Sequence, residues 1–241
     1  MRLDIYLKEN GFFESRKKAS DAIKDGCVKV GGKIADKPSL EIDGQEVTVT
    51  GSPLKYVGRG GLKLEHALDA FGIDVKDAVC ADVGSSTGGF TDVLLTRGAK
   101  YVYAIDSGSD QLHPKLRKDE RVCVMERTNA RNLDPEKFGD GVDVVTLDVS
   151  FISQTLIHGS VSEILKGGGA FVSLIKPQFE CGRASIGKNG IVRSETEREY
   201  AVRKVIESAK SHSLEHRATV VSPIRGGDGN VEFLVYFVKK K

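Results

Sequence analysis

Residues 78–91 constrain this chain more than any other stretch. A short apolar run, Ala78-Val79-Cys80-Ala81, ends on Asp82. It then breaks through Val83-Gly84-Ser85-Ser86-Thr87-Gly88-Gly89 before Phe90 and Thr91 resume an apolar pattern. A strand that ends in an acid and turns through glycines into a helix brings bare backbone to the carboxyl edge of a sheet. Gly84, Gly88 and Gly89 have no Cβ to keep a ligand away. An ordinary α/β connection also uses glycines, so the rest of the chain has to discriminate.

Apolar runs and helical stretches alternate along most of the sequence. Strands are expected over 78–82, 101–106, 122–125, 142–148, 170–175, 218–222 and 231–238, with helices over 89–97, 153–165 and 195–211. Strands separated by helices build a parallel, doubly wound sheet. The loop 223–230 is too short for a parallel crossover, which makes the last strand antiparallel. The expected fold class is therefore α/β: a Rossmann-like, mostly parallel seven-stranded sheet with an antiparallel last strand.

The 241 residues suffice for one sizeable core and a small appendage. Residues 1–50 read as a compact α+β module. Leu3, Ile5, Tyr6 and Leu7 give a first helix its apolar side, and Gly11 ends it. Ser15 caps a second helix through Ala19, Ala22 and Ile23, and Val28, Val30, Val47 and Val49 mark short strands. Residues 51–58 read as a linker. Residues 59–241 form the larger domain, opening on a helix with Leu62, Leu64, Ala67, Leu68 and Phe71.

The formal net charge of +2 neither demands nor excludes a polyanionic partner. Cys27, Cys80, Cys123 and Cys181 are widely spaced, and no Cys or His spacing suits a metal, so none is expected. The N-terminal residues lack the apolar core of a signal peptide, and no apolar run is long enough to span a bilayer. The expected location is cytoplasmic, with no membrane partner.

The loop spacing, Asp-x-Gly-x-x-x-Gly, differs from the dinucleotide fingerprint, whose helix N-terminus takes a pyrophosphate. A carboxylate at Asp82 would repel a pyrophosphate and suit the cationic methionine end of S-adenosylmethionine. Asp106 ends the second strand, where an acid takes ribose hydroxyls. Asn129 and Ala130 follow the third, Asp148 the fourth and Lys176 the fifth. Each strand-end acid taken alone reads more readily as a turn or cap residue than as a ligand.

Longer motifs carry a resemblance. Arg2-Leu3-Asp4, Ser15-Arg16-Lys17-Lys18-Ala19 and Gly26 to Gly32 resemble the RNA-binding domain named after ribosomal protein S-four. In that family the second helix and following turn lie on RNA phosphates. Without the resemblance, the bases Arg16, Lys17, Lys18 and Lys24 read as well as a solvated face diluted by Glu14, Asp21 and Asp25. Tyr56 to Leu64, Asp148-Val149-Ser150-Phe151-Ile152-Ser153, Lys176-Pro177-Gln178-Phe179-Glu180 and Gly229-Asn230-Val231-Glu232 look like the TlyA family. Its members are rRNA 2′-O-methyltransferases also labelled haemolysin A, with catalytic domains similar to the FtsJ group.

The resemblance implies a class I methyltransferase domain and S-adenosylmethionine as cofactor. It implies rRNA or ribosomal subunits as partner, with cytidines of both subunit rRNAs as targets. It implies a catalytic tetrad of Lys63, Asp148, Lys176 and Glu232. The cofactor residues would be Asp82, Gly84, Ser85, Thr87, Gly88, Gly89, Phe90, Asp106, Asn129 and Asp148. RNA would meet Arg2, Arg16, Lys17, Lys18, Arg59 and Phe179, although Phe179 reads equally as loop packing. Gln178, Phe179 and Glu180, with the loop Gly187-Lys188-Asn189-Gly190, would cover the substrate side. Two departures stand out. Gly58 sits where the family often has Ser, and Ser107 to Leu112 lacks the aromatic usual after the second-strand acid, which bears on adenosine contacts.

Methyl transfer to a ribose hydroxyl needs the oxygen positioned, its proton removed and the developing charge accommodated. A lysine is protonated at neutral pH, and neighbouring carboxylates favour that form. Either Lys63 and the cofactor's charge offset the carboxylates and leave Lys176 partly neutral, or Lys176 stays cationic and the proton leaves to Asp148 or water. The competing classes are a membrane-active haemolysin, a catalytically silent rRNA-binding factor and a nicotinamide-dependent oxidoreductase. The sequence offers no apolar span for the first and an intact tetrad against the second.

Overall fold

The computed structural model describes residues 1–24, 26–49, 55–187, 190–227 and 229–241. They form two compact units, Met1–Arg59 and Gly60–Lys241. Residues 51–54 of the expected linker, Lys188 and Asn189 of the 187–190 loop, and the side chain of Lys24 lie outside the described residues.

In the first unit, helices α1 (Leu3–Glu9) and α2 (Arg16–Lys24) precede strands β1 (Val28–Val30), β2 (Lys33–Ile34) and β3 (Val47–Val49). The strands form an antiparallel sheet in the order β2-β1-β3. Leu3 and Leu7 lie one turn apart and meet Ala19 and Ile23 of α2, Val28 and Ile42 in a small buried cluster. The Ser15 hydroxyl accepts from the Lys18 amide at 3.2 Å, satisfying an orphan donor at the start of α2.

The second unit runs α3 (Gly60–Phe71), β4 (Val79–Val83), α4 (Gly89–Thr96), β5 (Tyr101–Ile105), α5 (Pro114–Arg117), β6 (Val122–Met125), β7 (Val142–Leu147), α6 (His158–Ile164), β8 (Leu165–Ile175), α7 (Pro177–Glu180), α8 (Glu195–Ser211), β9 (Leu214–Val221) and β10 (Phe233–Lys239). The seven strands are ordered β6-β5-β4-β7-β8-β10-β9. β10 is antiparallel to both neighbours and every other pairing is parallel. Strand order reverses at β4, placing a topological switch between β4 and β7.

Alternation along the strands assigns the two faces. Ala81, Val83, Val145, Leu147, Phe171 and Phe237 pack with Val161 and Ile164 of α6 and Val205 and Ala209 of α8. The opposite parity meets α3 and α4: Phe71 stacks on Tyr236 at 5.6 Å, and Thr91 bonds Asp82. No helix among the described residues is long and apolar enough to cross a membrane.

Several boundaries differ from expectation. The stretch expected as a helix over 153–165 divides into a 3₁₀ turn (Gln154–Leu156) and α6, and β8 begins at Leu165 rather than 170. Gly167, Gly168 and Gly169 read as a break. They stay in the strand because Leu165 pairs with Val142 across a register shift. β9 starts at Leu214, four residues early, because Glu215, His216 and Arg217 lie on an edge strand, where charge is tolerated.

One buried group makes the fold pH-sensitive. His158 is fully buried among Phe171, His212 and Phe237, with Nδ1 2.9 Å from the Ser208 hydroxyl. Burial, with His212 as a smaller cause, lowers its pKa from 6.5 to about 3. The unfolded chain therefore binds a proton that the native state refuses. This contribution to stability is present above pH 6.5 and is lost as pH falls toward 3. Chemical denaturation at stepped pH should show His158→Phe with a flatter acid limb than the parent protein. An unchanged limb would mean that other groups set it.

Candidate functional site

The sheet brings the strand-end residues to one edge. Val83 pairs with Leu147, Leu147 with Ser173, and Ile175 with Phe233. Gly84, Asp148 and Lys176 therefore leave β4, β7 and β8 at the same end. One further step of the antiparallel register sets Glu232 opposite Lys176. Lys63 comes from the first turn of α3, on the same side as Leu64 and Ala67, which makes it a buried cation on an otherwise apolar face.

These four residues form two ion pairs. Lys63 Nζ lies 2.5 Å from Glu232 Oε2, and both side chains are buried. Lys176 Nζ lies 2.5 Å from Asp148 Oδ1 and donates to the Ser150 hydroxyl at 2.8 Å. Gly226 packs directly over Glu232: a Cβ there would stand 2.4 Å from Oε1.

Beside the pairs, a cleft of about 400 Å³ opens beyond β4, β5, β6 and β7. Gly84, Asp106 and Asn129 line it, together with Ser86, Gln111 and Thr128. The lining holds one acid and neither lysine nor arginine. That composition disfavours a pyrophosphate and suits a neutral nucleoside with a cationic end. Gly84 has φ +84, and a Cβ would sit 2.3 Å from the Asp148 carbonyl oxygen, so no other residue lets these strand ends approach so closely.

Asp82 is placed differently from the expectation that its carboxylate meets a cationic ligand. Its parity turns it away from the cleft toward α4, where it is fully buried. Thr91 donates to Oδ2 at 2.7 Å and Thr146 to Oδ1 at 3.0 Å. Burial raises its pKa to about 7 against those two hydroxyls, so it holds only a partial charge near neutrality. It braces the loop from beneath. Ser85, Gly88, Gly89 and Phe90 are likewise buried behind the loop, and Thr87 is exposed. None of these five lines the cleft. Gly88 is needed for packing, because a Cβ would stand 2.2 Å from a Leu116 methyl.

Asp106 is held by its own loop: Ser86 N donates to Oδ2 at 2.8 Å and Gly108 N to Oδ1 at 2.7 Å. Each oxygen keeps a lone pair for a hydroxyl in the cleft. Asp106→Ala should therefore weaken S-adenosylmethionine binding by about 1.5–3 kcal/mol, the worth of hydrogen bonds to a charged group. Titration calorimetry reads this directly, and unchanged affinity would remove Asp106 from the cofactor site. Asn129 accepts from Arg131 N at 3.1 Å and fixes the turn after β6.

On the first unit, Arg2 and Arg16 both pair with Asp4, at 3.0 and 2.9 Å, and Lys18 pairs with Glu14. Lys17 is exposed. Arg59 is half-buried and is the last residue of this unit.

Sequence reasoning gave no role to Phe151 or Asn230, and read Glu180 as part of a cover on the substrate side rather than as the buried tie it is. Phe151 is 91% exposed at the cleft, in a left-handed conformation (φ +64), and its ring lies 5.2 Å from that of Phe179. Its place in the Asp148–Ser153 motif and its bulk were the available signals. Glu180 is buried. Its carboxylate accepts from the Ser153 hydroxyl at 2.5 Å and the Gln154 amide at 2.9 Å, with Lys204 Nζ 3.5 Å away, so it ties the loop after β8 to the loop after β7. Burial raises its pKa against these partners. Asn230 accepts from Val192 N and donates to Gly190 O, both at 2.9 Å, joining two loops at the same rim.

Comparison with known proteins agrees with this architecture. The FtsJ-like methyltransferase family matches residues 56–239 and the S4 domain matches residues 1–48. The chain is 41% identical over 237 residues to the 16S/23S rRNA (cytidine-2′-O)-methyltransferase TlyA of Mycobacterium tuberculosis, covering 98% of this chain and 88% of that protein. It is 43% identical over 240 residues to hemolysin A of Brachyspira hyodysenteriae, covering 99% and 100%. A solved structure from Streptococcus thermophilus, described as a "putative hemolysin", is similar with a TM-score of 0.79 at 44% identity, covering 100% of this chain and 89% of that one. The chain therefore belongs to the FtsJ-like methyltransferase family, in the group that joins this domain to an S4 domain and includes the TlyA enzymes.

Proposed function

We propose that the protein methylates ribose 2′-hydroxyls of ribosomal RNA, at cytidines, with S-adenosylmethionine as methyl donor. The observation that carries this reading is the Lys176–Asp148 ion pair at 2.5 Å, beside a cleft whose lining carries no basic side chain. The residues present fit the cofactor: bare backbone at Gly84, a carboxylate at Asp106 for ribose hydroxyls, and a half-apolar wall including Ile105, Val149 and Ile152. When bound, it supplies a methyl group on a positively charged sulfur.

The chain's own residues do the remaining work. Lys176, fixed by Asp148 and the Ser150 hydroxyl, presents its side-chain nitrogen where a ribose oxygen would be held for in-line attack. There the neutral amine takes the hydroxyl proton, or else the ammonium steadies the developing alkoxide while Asp148 or water takes the proton. The buried Lys63–Glu232 pair fixes α3 against the start of β10 and holds the rim of the site. The exposed Phe151, with the half-buried Phe179 beside it, offers an aromatic face for an unstacked base. Lys17, Lys18, Arg2 and Arg16 supply cations for RNA phosphates. The cytidine preference and the rRNA substrate come from the named relatives.

Calorimetric titration with S-adenosylmethionine and, separately, NAD tests the cofactor half of the proposal. Binding of the first and not the second is expected, and the reverse would turn the site into that of an oxidoreductase. The hemolysin reading rests on relatives' names, and no feature of this site favours it.

A further inference from the structure

We infer that Asp4 is a positioning residue for RNA binding: a buried carboxylate that holds the guanidinium groups of Arg2 and Arg16 ready for phosphate. The inference rests on the proposed RNA role of those arginines. Asp4 is 4% exposed, in the first turn of α1. Arg2 donates to it twice, Nε to Oδ1 at 3.0 Å and Nη2 to Oδ2 at 3.2 Å, and Arg16 Nη2 donates to Oδ2 at 2.9 Å. The arginines begin different helices, which pack on each other through Leu3, Leu7, Ala19 and Ile23, and both guanidinium groups converge on this one carboxylate. Each side chain remains about half exposed, at 46% and 54%. Asp4 engages two of the five N–H donors of Arg2 and one of those of Arg16, which leaves the outward donors for a phosphate. The two arginines hold the Asp4 pKa down to about 2, so the carboxylate stays charged throughout the useful range.

Charge alone argues the other way. Removing an anion from a surface that meets a polyanion should tighten binding and leave its salt dependence as steep or steeper. Positioning predicts a loss, because freed arginines must be ordered again at binding, at an entropic cost per rotamer-rich side chain. The sign of one substitution thus separates the two effects.

The test measures full-length protein binding to unmodified 16S and 23S rRNA transcripts over a KCl series. Asp4→Asn should weaken binding roughly five- to a hundredfold, for two side chains released. In the Arg2→Ala/Arg16→Ala background the same change should be neutral or favourable, since the carboxylate there only repels phosphate. A structural role would cost the same in both backgrounds, so the comparison holds even if Asp4→Asn loosens the module. Equal losses, or tighter binding by Asp4→Asn alone, would overturn the positioning role. If Arg2→Ala/Arg16→Ala itself binds rRNA like the parent, the RNA role of the arginines fails, and the inference fails with it for that separate reason.

Discussion

Lys176→Ala is expected to fold, to bind S-adenosylmethionine as the parent does, and to lose methyl transfer by at least ~100-fold, as when a group acting mainly in the transition state is removed. The structure gives reasons for the separation. Lys176 does not line the cleft proposed for the cofactor, and its removal leaves Asp148 at a rim that water reaches rather than in the core. Lys176→Arg distinguishes the two roles. A guanidinium keeps the charge but does not surrender a proton, and its fork does not fit a site built around a point donor between Asp148 and Ser150. Both variants should fail under single-turnover assay with saturating cofactor. An active arginine variant would exclude proton abstraction by Lys176 and retain the cationic role. An active alanine variant would remove Lys176 from the chemistry.

The second large effect concerns stability. Lys63 and Glu232 are both buried and have each other as ion-pair partner. Lys63→Met leaves Glu232 as an unpaired charge beneath the Gly226 loop, and breaking such a pair costs about 3–5 kcal/mol. The double change Lys63→Met/Glu232→Gln removes the orphan charge and should recover at least half of that loss. Urea denaturation of the parent and the two variants decides the point. A single variant within about 1 kcal/mol of the parent would mean that water reaches the pair and that the desolvation argument does not apply.

Element order was legible because it depends on local signals. Alternation of apolar runs and helices gave the parallel sheet, and the short 223–230 loop gave an antiparallel last strand, which β10 is. Positions that depend on face rather than order were not legible. Asp82 stands directly before the glycine loop and reads as a ligand. The strand's alternation, fixed by which side of the sheet α4 covers, turns it to Thr91 and Thr146 instead. Glu180 follows Phe179 in an apparently exposed loop motif and is a buried tie between two loops, because Ser153, Gln154 and Lys204 arrive from distant elements. The four residues assigned to catalysis, far apart in sequence, were singled out by motif resemblance. The sheet brings them together as two pairs, and no spacing argument would have paired Lys63 with Glu232 across 169 residues.

The central claim, methyl transfer to ribose, is tested most directly by the product. Unmethylated ribosomal RNA, free or in subunits, is incubated with the protein and methyl-labelled S-adenosylmethionine, digested to nucleosides and separated. The account predicts label in 2′-O-methylcytidine with the parent protein and none with Lys176→Ala. Label on a base, or none in RNA from a protein that binds both cofactor and RNA, would contradict it.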